Sequence, residues 1–311
     1  MSKVLVTDSL FVKKKHVEML ERQGIEVQRL DKPKATEDEL IEAIHDAEGY
    51  ILGGVETVTE RIINSAPKLK AIVFTGAGYK EFIPCYELAK SRNISIANAP
   101  GGNSYAVSEY TIALILAMTR NIFDLGRTGK CGFMTTPSII DKSVGIIGMG
   151  NIGLLVAKHL KALGVEDVTY FSKKRKHHIE SGFGISYTPI EEIARRSDII
   201  TLHSSKDAGY AYFDRELVDL MKTNSLLINT SYPDAVDENA LLERLSRNEI
   251  SAAFDAPPKR QDFNDLPLSR WYSSNSQTAF NTDGAIETVS AMAVTSMINL
   301  LASGEDLFKV V

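Results

Sequence analysis

Short apolar runs alternate with amphipathic stretches through the first third of the chain. Residues 4–7, 26–30, 50–52, 71–75 and 94–97 read as strands, while 17–23, 37–44 and 59–65 carry helical spacing. This alternation predicts a parallel, doubly wound sheet of α/β class. Pro100-Gly101-Gly102 breaks the pattern, and the apolar stretch 104–122 predicts one long helix. A second alternation runs from Val144 to about Asn281, with strands expected at 144–147, 168–171, 198–202, 226–229 and 252–255. Residues 284–301 predict a last helix, long and apolar enough to require packing against another element.

The second alternation opens on Gly148-Met149-Gly150-Asn151-Ile152-Gly153, between the buried-strand run Val144-Gly145-Ile146-Ile147 and a helical stretch at 154–163. A G-x-G-x-x-G string between a strand and a helix reads as a dinucleotide-binding turn. The first glycine allows the tight turn, the second lets backbone approach a pyrophosphate, and the third lets the helix close on the strand. The helix N-terminus then offers free N–H groups and a positive dipole end to phosphate. Where the next strand, 168–171, ends, Ser172 is followed by Lys173-Lys174-Arg175-Lys176. A carboxylate there binds the ribose 2′-hydroxyl of NAD and repels a 2′-phosphate, whereas a hydroxyl with cations binds that phosphate. The expected cofactor is therefore NADP(H) in preference to NAD(H); the competing reading is a solvated basic loop.

The composition allows this and narrows the partners. With 44% hydrophobic and 24% charged residues, the 311-residue chain is an ordinary globular protein with room for two domains. Its net charge of −5 gives no reason to expect nucleic acid or an anionic membrane. Cys85 and Cys131 are too few for a disulfide framework, and the first residues enter a strand pattern directly, so a cytoplasmic setting is expected. No metal site is expected.

Together with the glycine turn, several segments resemble the D-isomer-specific 2-hydroxyacid dehydrogenases. These are Gly76-Ala77-Gly78, Asn98-Ala99-Pro100-Gly101 with Asn103, Val107 and Glu109, then 198–203, Met221-Lys222, Ile228-Asn229-Thr230, 238–241 and 252–255. The resemblance implies a Rossmann nucleotide domain, 101–283, inserted in a discontinuous flavodoxin-like substrate domain, 1–100 plus 284–311. It implies a small-molecule substrate bound in the cleft near a substrate loop at Gly76, Ala77 and Gly78. It also implies a homodimer to which the helix after residue 104 contributes. Cofactor contacts would fall to Val107, Thr111, Asn151, Ile152, His203, Thr230 and Asp255, the last toward the nicotinamide carboxamide. His203 reads equally well as a histidine capping a buried strand end.

The catalytic positions depart from that family. Its arginine follows the Asn-Thr pair by two residues, where this chain has Tyr232; its glutamate falls nearest Arg260, and its histidine falls at Asn281. An asparagine amide hydrogen-bonds a carbonyl but delivers no proton at neutral pH. Losing a positioned general acid removes about 10²–10⁴ in rate. Lys80 and Pro84 stand where aspartates are common, and Gly53 and Gly54 promise a roomier pocket wall. Tyr232 as a proton or hydrogen-bond donor, Asn281 as a hydrogen-bonding replacement, and Lys80 and Arg260 as binders of an acidic group are the candidate catalytic residues. Two readings follow: an NADP(H)-dependent oxidoreductase with a rewired active site, acting on a carbonyl or related group, or a catalytically silent NADP-binding sensor. An ordinary 2-oxo acid reductase would require displaced catalytic residues at three separate places.

Overall fold

The computed structural model describes residues 2–7, 12–32, 34–129, 133–205, 212–274 and 276–311, which leaves Cys131 outside the described residues. The chain divides into two compact units, Met1–Asn103 with Asn281–Val311, and Ser104–Phe280. Both boundaries fall three residues from those expected, at 100/101 and 283/284.

The first unit contains β1 (Lys3–Thr7), α1 (Lys14–Glu21), β2 (Glu26–Leu30), α2 (Glu37–Ile44), β3 (Gly49–Leu52), α3 (Glu60–Asn64), β4 (Ala71–Phe74), α4 (Tyr79–Phe82), α5 (Tyr86–Ser91) and β5 (Ser95–Ala97). Its strands pair in parallel in the order β2-β1-β3-β4-β5. β3 and β4 are buried at every position, as strands covered by helices on both faces must be. The start of α2 is set by a capping box, in which Thr36 and Glu39 satisfy each other's backbone N–H, a device worth about 1 kcal/mol.

The second unit contains α6 (Ser104–Thr119), α7 (Ile122–Thr128), β6 (Val144–Ile147), α8 (Asn151–Ala162), β7 (Val168–Phe171), α9 (His177–Phe183), β8 (Ser186–Tyr187), α10 (Ile190–Arg196), β9 (Ile199–Leu202), α11 (Arg215–Leu220), β10 (Leu226–Asn229), α12 (Glu238–Ser246), β11 (Ser251–Phe254) and β12 (Trp271–Ser273). All seven strands are parallel, in the order β12-β11-β10-β9-β6-β7-β8. The single helix expected over 104–122 is two. Asn121 takes a left-handed conformation (φ 54°), which α6 cannot propagate, and α7 starts in a new direction.

The last helix, α13 (Asp283–Ser303), returns to the first unit. By length and composition it is apolar enough to cross a bilayer. Here Ala293, Val294, Met297 and Leu300 instead join Val4, Val6, Ile51 and Val73 in a core on one sheet face. Leu40, Ile44, Ile62 and Ile63 build the core on the opposite face, so helices cover both.

Buried Arg244 of α12 holds the second unit's helix layer together. Its Nη1 donates to the carbonyls of Val218 (2.7 Å), Asp219 (3.1 Å) and Met221 (3.0 Å) at the end of α11, and its Nε donates to Glu249 (2.7 Å). Arg244→Leu strands those carbonyls and is expected to cost about 3 kcal/mol, read as a lower urea midpoint.

Candidate functional site

Strand order in the second unit reverses between β6 and β9, and such a switch point opens a crevice beyond the strand ends. The glycine turn occupies it. Gly148 lies at φ 101°, outside the range of ordinary side chains, and its N–H donates to the Phe171 carbonyl (2.8 Å). A Cβ there would stand 2.7 Å from the His203 carbonyl group. A Cβ at Gly153 would collide with the Gly148 carbonyl oxygen, whereas one at Gly150 would meet nothing. Gly150 caps α8 without any side-chain hydrogen bond, so the N–H groups opening α8 at Asn151, Ile152 and Gly153 have no side-chain acceptor from the cap. A close-packed backbone turn, open on one side and ending in an uncapped helix, fits a pyrophosphate.

His203, just after β9, is half-buried, with its Nδ1 enclosed. Its Nε2 stands 2.9 Å from the Thr201 hydroxyl, and its Nδ1 has no partner among the described residues. Burial pushes its pKa down to about 3, so the ring is neutral. The strand-capping reading thus accounts for one ring nitrogen and leaves the other available. The hydroxyls of Thr111, in α6, and Thr230, just after β10, lie 2.9 Å apart, both buried, with Thr111 also donating to the Val107 carbonyl (2.8 Å). The Asp255 carboxylate accepts from Thr278 N (2.9 Å), Ala279 N (3.1 Å) and Ser274. Burial pushes its pKa up against those hydrogen bonds.

The loop after β7 carries the cations. Ser172 donates to the Lys174 carbonyl (2.7 Å), and Lys173, Lys174 and Arg175 are exposed. Arg175 is not a loose surface charge, because its Nε and Nη2 meet both oxygens of Glu180 (2.9 and 2.7 Å). That ion pair, helped by the Tyr170 hydroxyl, holds the Glu180 carboxyl down to about 2.

Of the catalytic candidates, Tyr232 and Arg260 lie in the second unit and Lys80 and Asn281 in the first, and the expectation for Tyr232 needs correcting. Tyr232 does not present its ring to a ligand: it packs in the core with Phe213, Ala235 and Val236, and its hydroxyl donates to the Ser205 carbonyl (3.3 Å). The cause is local. Asn229 pins the Tyr232 carbonyl (2.9 Å) and the Ser231 N–H (3.0 Å), and a 3-10 turn starting at Pro233 rotates the side chain inward. Arg260, the candidate binder of an acidic group, bonds Asn239 of α12 (2.5 Å) and Asp262, on a surface groove shared with Arg215 and Arg247.

In the first unit, exposed Lys80 lies 5.5 Å from the Tyr86 ring centroid, and exposed Asn281 precedes Thr282, the cap of α13. The Gly76-Ala77-Gly78 loop is pinned by Ala99 N to Gly76 O (2.9 Å) and by Asn98 Nδ2 to Ala77 O (2.8 Å). Gly54 does not leave the room expected of it. The buried Glu56 carboxylate fills the space that a Cβ there would take. Sequence reading passed over Glu56, Tyr170 and Glu180, because nothing in the spacing marks a carboxylate or phenol as inward-facing.

A parallel sheet reversed beside a glycine turn defines a dinucleotide-binding domain. The profile for the D-isomer specific 2-hydroxyacid dehydrogenase NAD binding domain matches residues 112–275. A D-3-phosphoglycerate dehydrogenase of Methanocaldococcus jannaschii is 34% identical over 83% of this chain and 50% of its own length, so this chain spans half of that relative. A glyoxylate reductase of Thermococcus litoralis is 31% identical over 69% of this chain and 68% of its own. Among solved structures, an acyclic imino acid reductase in complex with NADPH and D-Arg superposes with a TM-score of 0.84, at 25% identity and full coverage of both chains. The chain belongs to the D-isomer specific 2-hydroxyacid dehydrogenase family, whose members are nicotinamide-dependent oxidoreductases.

Since His203 is held neutral, the unfolded chain binds its proton first as pH falls. Stability is expected to decline from about 6.5 down toward about 3, and His203→Gln to flatten that decline in pH-dependent urea titrations.

Proposed function

We propose that this chain is an NADPH-dependent reductase whose acceptor is a protonated C=N group rather than a standard 2-oxo acid. The observation that carries this reading is an intact dinucleotide turn beside the loss of all three family catalytic residue types, at Tyr232, Arg260 and Asn281. Bound nicotinamide supplies the hydride. A carbonyl that accepts hydride becomes an alkoxide and needs a proton, which Asn281 cannot give. An iminium carries its positive charge into the reaction. When hydride adds to carbon, the C=N π electrons move to nitrogen and leave a neutral amine, with no proton demanded of the chain. The similarity to an imino acid reductase holding NADPH and D-Arg supports the same acceptor class.

In this reading the α8 N-terminus and glycine turn take the pyrophosphate, and Ser172, Lys173, Lys174 and Arg175 the 2′-phosphate. His203, Thr111, Thr230 and Asp255 line the remainder, and positioning rather than proton transfer is the chain's main catalytic contribution. The proposal includes a homodimer. Tyr105, Ile122, Phe133, Met134 and Ile140 are exposed apolar residues from α6 to the segment before β6, and sedimentation would measure their pairing.

Fluorescence titration is expected to show tighter binding of NADPH than NADH, and Ser172→Asp to shift preference toward NADH. Equal affinities in the unaltered protein would sink the cofactor assignment. Pyruvate or glyoxylate alone is expected to oxidise NADPH poorly, and adding ammonia or a primary amine to accelerate it. Turnover of about 1–10³ per second on the oxo acid alone would refute the acceptor class. Tight NADPH binding with no turnover on any acceptor would favour the silent sensor.

A further inference from the structure

The basic loop after β7 is tied to the sheet beneath it by a tyrosine and a glutamate that carry no positive charge. Tyr170, on β7, is fully buried, and its hydroxyl accepts the Lys176 N–H (2.8 Å) while donating to Glu180 Oε1 (3.0 Å). Glu180, on α9, grips the Arg175 fork through both oxygens, and the guanidinium lies 5.5 Å from the Tyr187 ring centroid. Tyr187 in turn meets Tyr170 edge-on, with centroids 5.5 Å apart at 81°. Ser172, bonded to the Lys174 carbonyl, closes the other end of the same loop. We infer that Tyr170 and Glu180 are positioning residues for NADPH discrimination, holding Arg175 so that its remaining N–H groups receive the 2′-phosphate. This rests on the NADPH reading above.

Two effects compete at this site. The Glu180 carboxylate offsets the Arg175 charge, which weakens long-range attraction for phosphate. Against that, a guanidinium has five N–H donors in a rigid plane, and Glu180 engages two of them, leaving three in a fixed orientation. A long side chain otherwise gives up much of its binding energy in being ordered, and this one is ordered before the ligand arrives. Geometry therefore contributes what the offset charge does not, and Lys173 and Lys174 add the bulk field.

The decisive experiment measures NADPH and NADH affinities of the full-length protein by fluorescence titration. Tyr170→Phe keeps every charge and removes one hydroxyl. It is expected to weaken NADPH binding about tenfold, to leave NADH binding unchanged, and to have little further effect when Arg175 is already alanine. Arg175→Lys, at an exposed position, keeps the charge but loses the fork. It is expected to lose NADPH preference nearly as far as Arg175→Ala, which decides the matter even if the buried tyrosine variant folds poorly. A preference that survives both Tyr170→Phe and Arg175→Lys overturns the positioning role and leaves the NADPH reading standing. An equal loss from Tyr170→Phe in both Arg175 backgrounds also overturns it. No NADPH preference in the unaltered protein overturns both.

Discussion

The approach of the Gly148 backbone to the end of β9 is the constraint on which the second unit's site depends. Gly148 sits against the His203 carbonyl, its own N–H is taken by the end of β7, and the His203 N–H is taken by Ile147 at 2.7 Å. The turn therefore locks together the ends of the three strands around the switch point. No side chain fits at Gly148 or Gly153, so the space above is framed by backbone N–H groups rather than by side chains that would have to move. His203 is drawn into the interior by the same packing. Burial strips its charge, and Thr201 satisfies one of its nitrogens.

Tyr232 and Arg260, two of the candidate catalytic residues, both have structural partners. An arginine after the Asn-Thr pair would have kept its head in a polar site, since burying an unpaired cation is costly. Tyr232 at that position turns an aromatic ring into the apolar core and leaves only its hydroxyl on a backbone carbonyl. Arg260, freed from any histidine partner, joins the hydrogen bonds of α12. In the proposed reaction, the hydrogen bonds around Thr111, Thr230 and Asp255 would serve orientation rather than acid–base chemistry.

The first unit shows how one absent side chain makes way for another. Gly54 leaves room for the Glu56 side chain, so an apparent cavity in the sequence is filled by a buried carboxyl group. Its α13 helix shows the converse, since a segment with the composition of a membrane span packs its apolar side chains into a core shared with the sheet.

Sequence alone determined the two doubly wound sheets, the glycine turn and the basic strand end, because each rests on local periodicity or on a backbone need only glycine meets. β2, α2, β6 and β7 could be read residue for residue from their local patterns. The two-residue β8 and the three-residue β12 could not, because strands that short have no period and exist only through pairing with β7 and β11. The break at Asn121 was passed over because apolar residues resume at Ile122 and Phe123, and an apolar pattern records burial but not backbone handedness. Only tertiary structure decided which way Tyr232, Arg260 and Glu56 point, and that Tyr170 and Glu180 brace Arg175. Side-chain direction at a loop is set by the partners packed around it, and those partners come from distant parts of the chain.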